Sequence, residues 1–274
     1  MTSYNKSLPI GVFDSGVGGL TVLKAIREAL PFENLIYLGD TARLPYGTKS
    51  PASIARYATQ ATAKLLEDDI KLLIVACNTA SAVALDALRV QMDPIPVLGV
   101  VEPGATTAVR ARPGGSHVVL ATEATVGLGA YRKAILAKDP EARVREQACE
   151  LMVSLAEEGW TEGEIADSVV RRYLSEANHG GFEADSIILG CTHFPLLRKT
   201  IVAAVDDDVV VVDSAVTTAT AVHDILRLNG GLLEIEQPGT LKLLATDGIA
   251  RFARVGGQFL GEPLTVQDVQ LVDL

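Results

Sequence analysis

Cysteine and histidine are scarce in this sequence, and basic residues are outnumbered by acidic ones. The three cysteines among 274 residues are too few, and odd in number, for a disulfide framework; in a reducing compartment they remain thiols. None stands in a Cys-x-x-Cys motif, and the four histidines, His117, His179, His193 and His223, are dispersed. That spacing excludes the clustered ligand sets of zinc sites and argues against any metal centre. No stretch reaches the roughly 18–20 uninterrupted apolar residues that a membrane helix needs. The first apolar run, 8–13, stops at Asp14, so no signal peptide is read either. A cytoplasmic chain without a membrane partner is expected. Lys and Arg total 24 against 34 Asp and Glu, a net charge of −10. Such a field repels polyphosphate, and no direct nucleic-acid binding is expected. A small anionic substrate is still compatible, because nearby hydrogen-bond donors override a distant field. Low-complexity segments are absent.

What is present is an ordinary globular balance, 48% apolar and 21% charged, with ample material for a core. Short apolar runs alternate with longer helical patterns. Strands are predicted over 10–13, 34–38, 72–76, 97–100, 117–121, 142–146, 186–189 and 209–212. Most are continuous Val/Ile/Leu runs, as expected where both faces of a sheet are covered. Between them lie helical patterns such as 53–66, with Ile54, Ala58, Ala61 and Leu65 on one face. Strand–helix alternation of this kind implies an α/β fold of doubly wound parallel sheets. The length suits two domains. A Pro-rich crossover, Asp93-Pro94-Ile95-Pro96, and an acidic turn, Asp206-Asp207-Asp208, mark the boundaries. The first domain is read as 1–97 with 212–274, the second as 98–211. In the tail, Leu264-Thr265-Val266-Gln267 before Val269 alternates like a closing, half-exposed strand.

A local repeat is more informative than the boundaries. Lys71-Leu72-Leu73-Ile74-Val75-Ala76-Cys77-Asn78-Thr79 aligns with Asp185-Ser186-Ile187-Ile188-Leu189-Gly190-Cys191-Thr192-His193. Each has a charged start, a buried strand, a small residue, a cysteine, and two polar residues opening a helix. Two similar domains facing one another would put both cysteines at one cleft, outside the carboxyl ends of parallel strands where ligands bind. A free cysteine is often only a small core hydrophobe. Two at equivalent positions, each at a helix N-terminus whose dipole favours thiolate, favour a functional pair. Acid/base groups on opposite sides of a cleft suit inversion of a carbon stereocentre, with one group removing a proton and the other returning it to the far face. A nucleophilic mechanism needs only one thiol, and a disulfide-exchange enzyme sets its two close in sequence.

Other strand ends supply candidate ligands. Asp14-Ser15-Gly16-Val17-Gly18-Gly19 offers a carboxylate, a hydroxyl and glycine-freed N–H groups, but matches neither the dinucleotide fingerprint nor a P-loop. Tyr46 and Gly47 lie in a loop after the second strand. Thr122-Glu123-Ala124-Thr125 follows the fifth strand, and its hydroxyls either hold a carboxylate or cap a helix. His193 stands two residues after Cys191, placed to assist it or to contact the adjacent helix end. Glu157, beside Glu158-Gly159-Trp160, reads from its surroundings as a solvated carboxylate.

Taken together, Phe13-Asp14-Ser15-Gly16-Val17-Gly18-Gly19-Leu20-Thr21-Val22, Pro45-Tyr46-Gly47, Ala76-Cys77-Asn78-Thr79-Ala80-Ser81 and Gly190-Cys191-Thr192-His193-Phe194-Pro195-Leu196 closely resemble the glutamate racemase family, in that family's order and over nearly the whole chain. The two Cys motifs alone would indicate the wider aspartate/glutamate racemase superfamily. The resemblance implies two α/β domains with the active site in the cleft between them. It also implies cofactor-independent interconversion of L- and D-glutamate that supplies D-glutamate for peptidoglycan. Carried over by motif, Cys77 acts on the α-proton of D-glutamate and Cys191 on that of L-glutamate, with Asp14 and His193 as their respective assistants. Ser15, Tyr46, Gly47, Asn78, Thr79, Thr122 and Thr192 contact substrate, together with Asp14 and His193. The family has a functional Glu after a Cys-Pro…Val-Pro segment. Here Glu150 and Ser154 stand where prolines are usual, and Glu157 is the counterpart. Homodimers are common in the family, and some members also inhibit DNA gyrase, a partner to which no feature of this sequence points. Only about eight residues precede the first strand, so dependence on a peptidoglycan-precursor activator is not expected.

Overall fold

The computed structural model describes residues 5–234 and 237–274. Among them, two all-parallel sheets divide the chain. The larger contains β1 (Ile10–Asp14), β2 (Leu35–Gly39), β3 (Leu72–Val75), β4 (Val97–Gly99), β9 (Leu241–Ala245) and β10 (Val269–Leu271), in the order β10-β9-β2-β1-β3-β4. The smaller runs β6-β5-β7-β8, from β5 (Ser116–Ala121), β6 (Arg143–Ala148), β7 (Ser186–Gly190) and β8 (Val210–Asp213). Every residue of β1, β2, β3, β5 and β7 is buried. Continuous apolar runs become central strands because helices cover both sides of each sheet.

On the larger sheet, α1 (Leu20–Ala29) and α11 (Ile249–Leu260) pack over Val12, Tyr37 and Ile74. The opposite face carries α2 (Pro51–Leu66) and α3 (Asn78–Met92), packed over Phe13, Leu38 and Val75. Helix α2 begins where Ser50 accepts a hydrogen bond from the Ser53 N–H and Pro51 occupies the first turn. Its stripe of Ile54, Ala58, Ala61 and Leu65 is fully buried. The smaller sheet is flanked by α4 (Val101–Ala111) and α6 (Ala130–Lys138) on one face. On the other lie α7 (Glu150–Glu158), α8 (Glu164–Ala177) and α9 (Arg198–Val202).

The domains are held together by α10 (Ser214–Leu228), which leaves β8 and inserts Ala215, Ala219, Val222 and Leu226 into the core beneath α1. Thr21 of α1 adds a buried hydrogen bond from its Oγ1 to the Thr192 carbonyl, 2.8 Å. The carboxyl ends of the two sets of strands therefore face one cleft.

Three details differ from the sequence expectation. Val97–Gly99 pairs as a whole with β3 and Val210–Asp213 with β7, so the chain changes sheet after 99 and after 213 rather than at 97 and 212. Residues 264–267 are not a strand. Thr265 caps a short 3-10 turn, Val266–Asp268, its hydroxyl accepting from Gln267 N while the Asp268 carboxylate accepts from the Thr265 N–H, and the closing strand is only Val269–Leu271. That capping box outcompetes the alternating pattern. Strand β9 lies outside every apolar run that predicts a strand, because Lys242 interrupts an already short one. No helix among the described residues is long and apolar enough to cross a membrane.

Candidate active site

Cys77 follows β3 and caps α3, its sulfur accepting the Ala80 N–H at 3.4 Å. Cys191 follows β7 at the equivalent strand end. Here the repeat departs from expectation: Cys191 is followed by a turn and a 3-10 segment, Phe194–Leu197, with α9 only after it. Both thiols line one cavity, walled also by Ser15, Gly47, Asn78, Thr79, Thr122 and Thr192.

The thiol settings differ sharply. Burial, aided by the nearby Asp14 charge, pushes the Cys77 thiol up to about 12, against the opposing pull of hydrogen bonds from Ser15 and the Ala80 N–H. The expected thiolate at this helix N-terminus is thus overruled. A helix terminus contributes about 0.3–1 kcal/mol, less than one pKa unit at about 1.4 kcal/mol per unit, whereas full burial moves a group by up to about 3–5 units. Cys191 has a cationic partner instead. His193 Nδ1 lies 3.7 Å from its sulfur, and His193 Nε2 meets Glu157 Oε1 at 3.1 Å. Burial drives the imidazole down, but its hydrogen bonds to Cys191 and Glu157 outweigh that and lift His193 to about 10. Glu157, held below the usual carboxylate range chiefly by His193 against the effect of burial, completes its coordination through Arg251 Nη2 at 2.6 Å. Glu157 is therefore far from the solvated carboxylate its sequence surroundings suggest. Glu150 and Ser154 in place of prolines leave α7 intact up to Glu158.

Asp14, at the tip of β1, is buried, with its carboxyl raised by burial against opposing backbone N–H groups of Gly19 and Gly16. Its Oδ2 accepts from Gly16 N at 2.9 Å, so at least part of the glycine loop's donor set is turned onto Asp14 rather than into the cavity. Oδ1 has no hydrogen-bond partner among the described residues. Gly18 allows the two domains to touch: a Cβ there would lie 2.3 Å from Thr192 Oγ1 and 2.6 Å from His193 Nδ1.

The hydroxyls of Thr79, Thr122 and Thr125 form a triangle of 3.0–3.1 Å contacts. Thr122 precedes α5 (Glu123–Leu128), yet its side chain does not cap that helix; Glu150 Oε1 accepts from the Glu123 N–H instead. Asn78 donates to the Tyr131 hydroxyl at 2.8 Å, leaving its own buried Oδ1 without a partner among the described residues. Tyr46 lines the cavity, but its phenol donates to Asp40 Oδ2 at 2.6 Å, so that hydroxyl is engaged away from it. Tyr131, Glu150 and Arg251 have no site role in the sequence reading, yet Glu150 lines the cavity, Tyr131 accepts from Asn78 and Arg251 grips Glu157. Arg251 is contributed from 94 residues beyond Glu157, and no local pattern announces it.

Two parallel-sheet domains thus bring one thiol each to a single cavity. The Asp/Glu/Hydantoin racemase family matches residues 10–222, and the chain belongs to it. A glutamate racemase of Geobacter metallireducens (strain ATCC 53774 / DSM 7210 / GS-15) is 50% identical over 255 residues, 93% of each chain. The crystal structure of glutamate racemase from Francisella tularensis subsp. tularensis SCHU S4 in complex with D-glutamate matches with a TM-score of 0.89 and 36% identity over 98% of each chain. That of the Thermus thermophilus enzyme in complex with beta-chloro-D-alanine matches with a TM-score of 0.86 and 40% identity, again over 98% of each.

Proposed function

We propose that this protein interconverts L- and D-glutamate by cofactor-independent proton transfer between two thiols, and so supplies D-glutamate for peptidoglycan. The observation that carries the reading is the pair of buried strand-end cysteines on one cavity, the second beside a cationic histidine. A thiolate at Cys191, stabilised by the His193 imidazolium, takes the α-proton of L-glutamate. The Cys77 thiol returns a proton to the opposite face, leaving Cys77 as thiolate and Cys191 as thiol. Before the next L-to-D turnover Cys191 releases its proton to solvent and Cys77 takes one up, so protons balance over a cycle; the D-to-L direction runs the same transfers backward. Asp14 and His193 assist Cys77 and Cys191 respectively, and Glu157 holds His193. Thr79, Thr122, Thr192, Ser15 and the unpartnered Asn78 Oδ1 supply polar contacts to the substrate, while Tyr46 and Gly47 shape the wall. The family resemblance extends the reading to a cytoplasmic homodimer.

Incubating the protein with L-glutamate in deuterated water tests this directly. The expected product is D-glutamate carrying solvent deuterium at the α-carbon with no added cofactor, and Cys77→Ser and Cys191→Ser should each lower turnover by at least about 100-fold. Near-normal racemisation by either variant would sink the two-thiol mechanism.

A further inference from the structure

Helix α11 belongs to the larger domain, yet three of its side chains meet residues of the smaller one. Phe259 meets the His193 ring edge-on, with centroids 5.1 Å apart at 81°. About two turns earlier on the same helix, Arg251 donates to Glu157 Oε2 at 2.6 Å. The other oxygen of that carboxylate, Oε1, is the one that meets His193 Nε2. Close by, Gln258 abuts Gly159, the left-handed residue that ends α7; a Cβ at Gly159 would lie 3.0 Å from Gln258 Oε1. A glutamate tethered at one oxygen only samples many rotamers, whereas one gripped at both samples few.

We propose that Arg251 is a positioning residue for the proton relay at Cys191: it anchors one oxygen of Glu157 across the domain boundary so that the other is presented to His193. The relay is therefore complete only when α11 is docked on the smaller domain, which ties the protonation of His193 to domain docking. The consequence for turnover rests on the racemase reading; the geometry does not.

Arg251 has two separable effects on His193, and they have opposite signs. As a positive charge beside Glu157 it weakens the field that Glu157 exerts on the imidazole, so losing the charge alone would raise the His193 midpoint. As an anchor it keeps Glu157 within hydrogen-bond reach, so losing the anchor lowers the midpoint. The test follows His193 by imidazole 15N NMR titration in the full-length wild type and in the Arg251→Met and Arg251→Lys variants, alongside the alkaline limb of kcat/KM. In Arg251→Met the His193 midpoint should fall by about one unit or more, and kcat/KM by about ten-fold or more in both directions, since the enantiomers are of equal energy. Arg251→Lys should restore most of both. On a Glu157→Gln background, adding Arg251→Met should change neither further. A midpoint that stays put or rises in Arg251→Met overturns the proposal, as does a full additional effect on the Glu157→Gln background. The titration needs no substrate, so a wild-type protein inert toward glutamate would count against the racemase reading and leave this test standing.

Discussion

At the scale of single residues, the two cysteines show how one motif yields two environments. Both end a buried strand, but Cys77 is enclosed beside the carboxylate of Asp14, whereas Cys191 faces an imidazolium gripped by Glu157. The resting arrangement is accordingly asymmetric: a protonated Cys77 opposite a Cys191 whose neighbour carries positive charge. Glycine at 18 sets the close contact between the domains, because any Cβ there overlaps Thr192 and His193. Gly18→Ala should push the His193 ring and the Thr192 hydroxyl off their positions. A misplacement of about 1 Å costs on the order of 100-fold in rate, so kcat/KM should fall by about that factor while the circular dichroism spectrum is unchanged. Wild-type kinetics in Gly18→Ala would show that the loop yields without cost.

At the scale of elements, the strands and helices here are stabilised by what they bury far more than by how they end. Helix α2 offers both kinds of contribution. Leu65 is fully buried, and Leu65→Ala should cost about 2–5 kcal/mol in transfer and cavity energy. The Ser50 cap is an exposed 3.4 Å contact, so Ser50→Ala should cost only about 0.5 kcal/mol, the low end for caps. Urea unfolding of the two variants checks the ranking; a reversed order would make capping the dominant determinant of this helix. The same preference for burial explains why 53–66 was readable from its apolar stripe alone. Strand β9 was not, since Lys242 spends its charge on Asp68 at 2.7 Å and only the neighbouring strands β2 and β10 reveal it as a sheet member.

At the scale of the molecule, the domain boundary is bridged by charge as well as by the α1–α10 core. The His193–Glu157–Arg251 chain runs from the smaller domain into α11, and it depends on a protonated imidazole. His193 is raised in the folded state to about 10 from an ordinary value of 6.5. Its contribution to stability is thus fully present below about 6.5 and is lost as pH rises through about 10. The thermal midpoint of the wild type should fall more steeply than that of His193→Gln between pH 7 and 10.5, since the variant lacks this titration. Parallel curves for the two proteins would remove His193 from the account of alkaline stability.

The sequence by itself determined the fold class, most of the central strands and the equivalence of Cys77 with Cys191. These are written in local apolar runs and in a short repeat, and burial on both faces of a parallel sheet enforces them. It also marked Asp14, Asn78, Thr79, Thr122 and His193 as residues of the strand ends, and the structure brings all five to the shared cleft or its immediate wall. Only the tertiary structure decided that the Tyr46 phenol turns to Asp40, that Thr122 leaves its helix uncapped, that burial defeats the helix dipole at Cys77, and that Arg251 reaches Glu157. The reason is common to all four. Desolvation and hydrogen-bond partnership are properties of the closed chain, set by segments far apart in sequence, and no local spacing records which of them will meet.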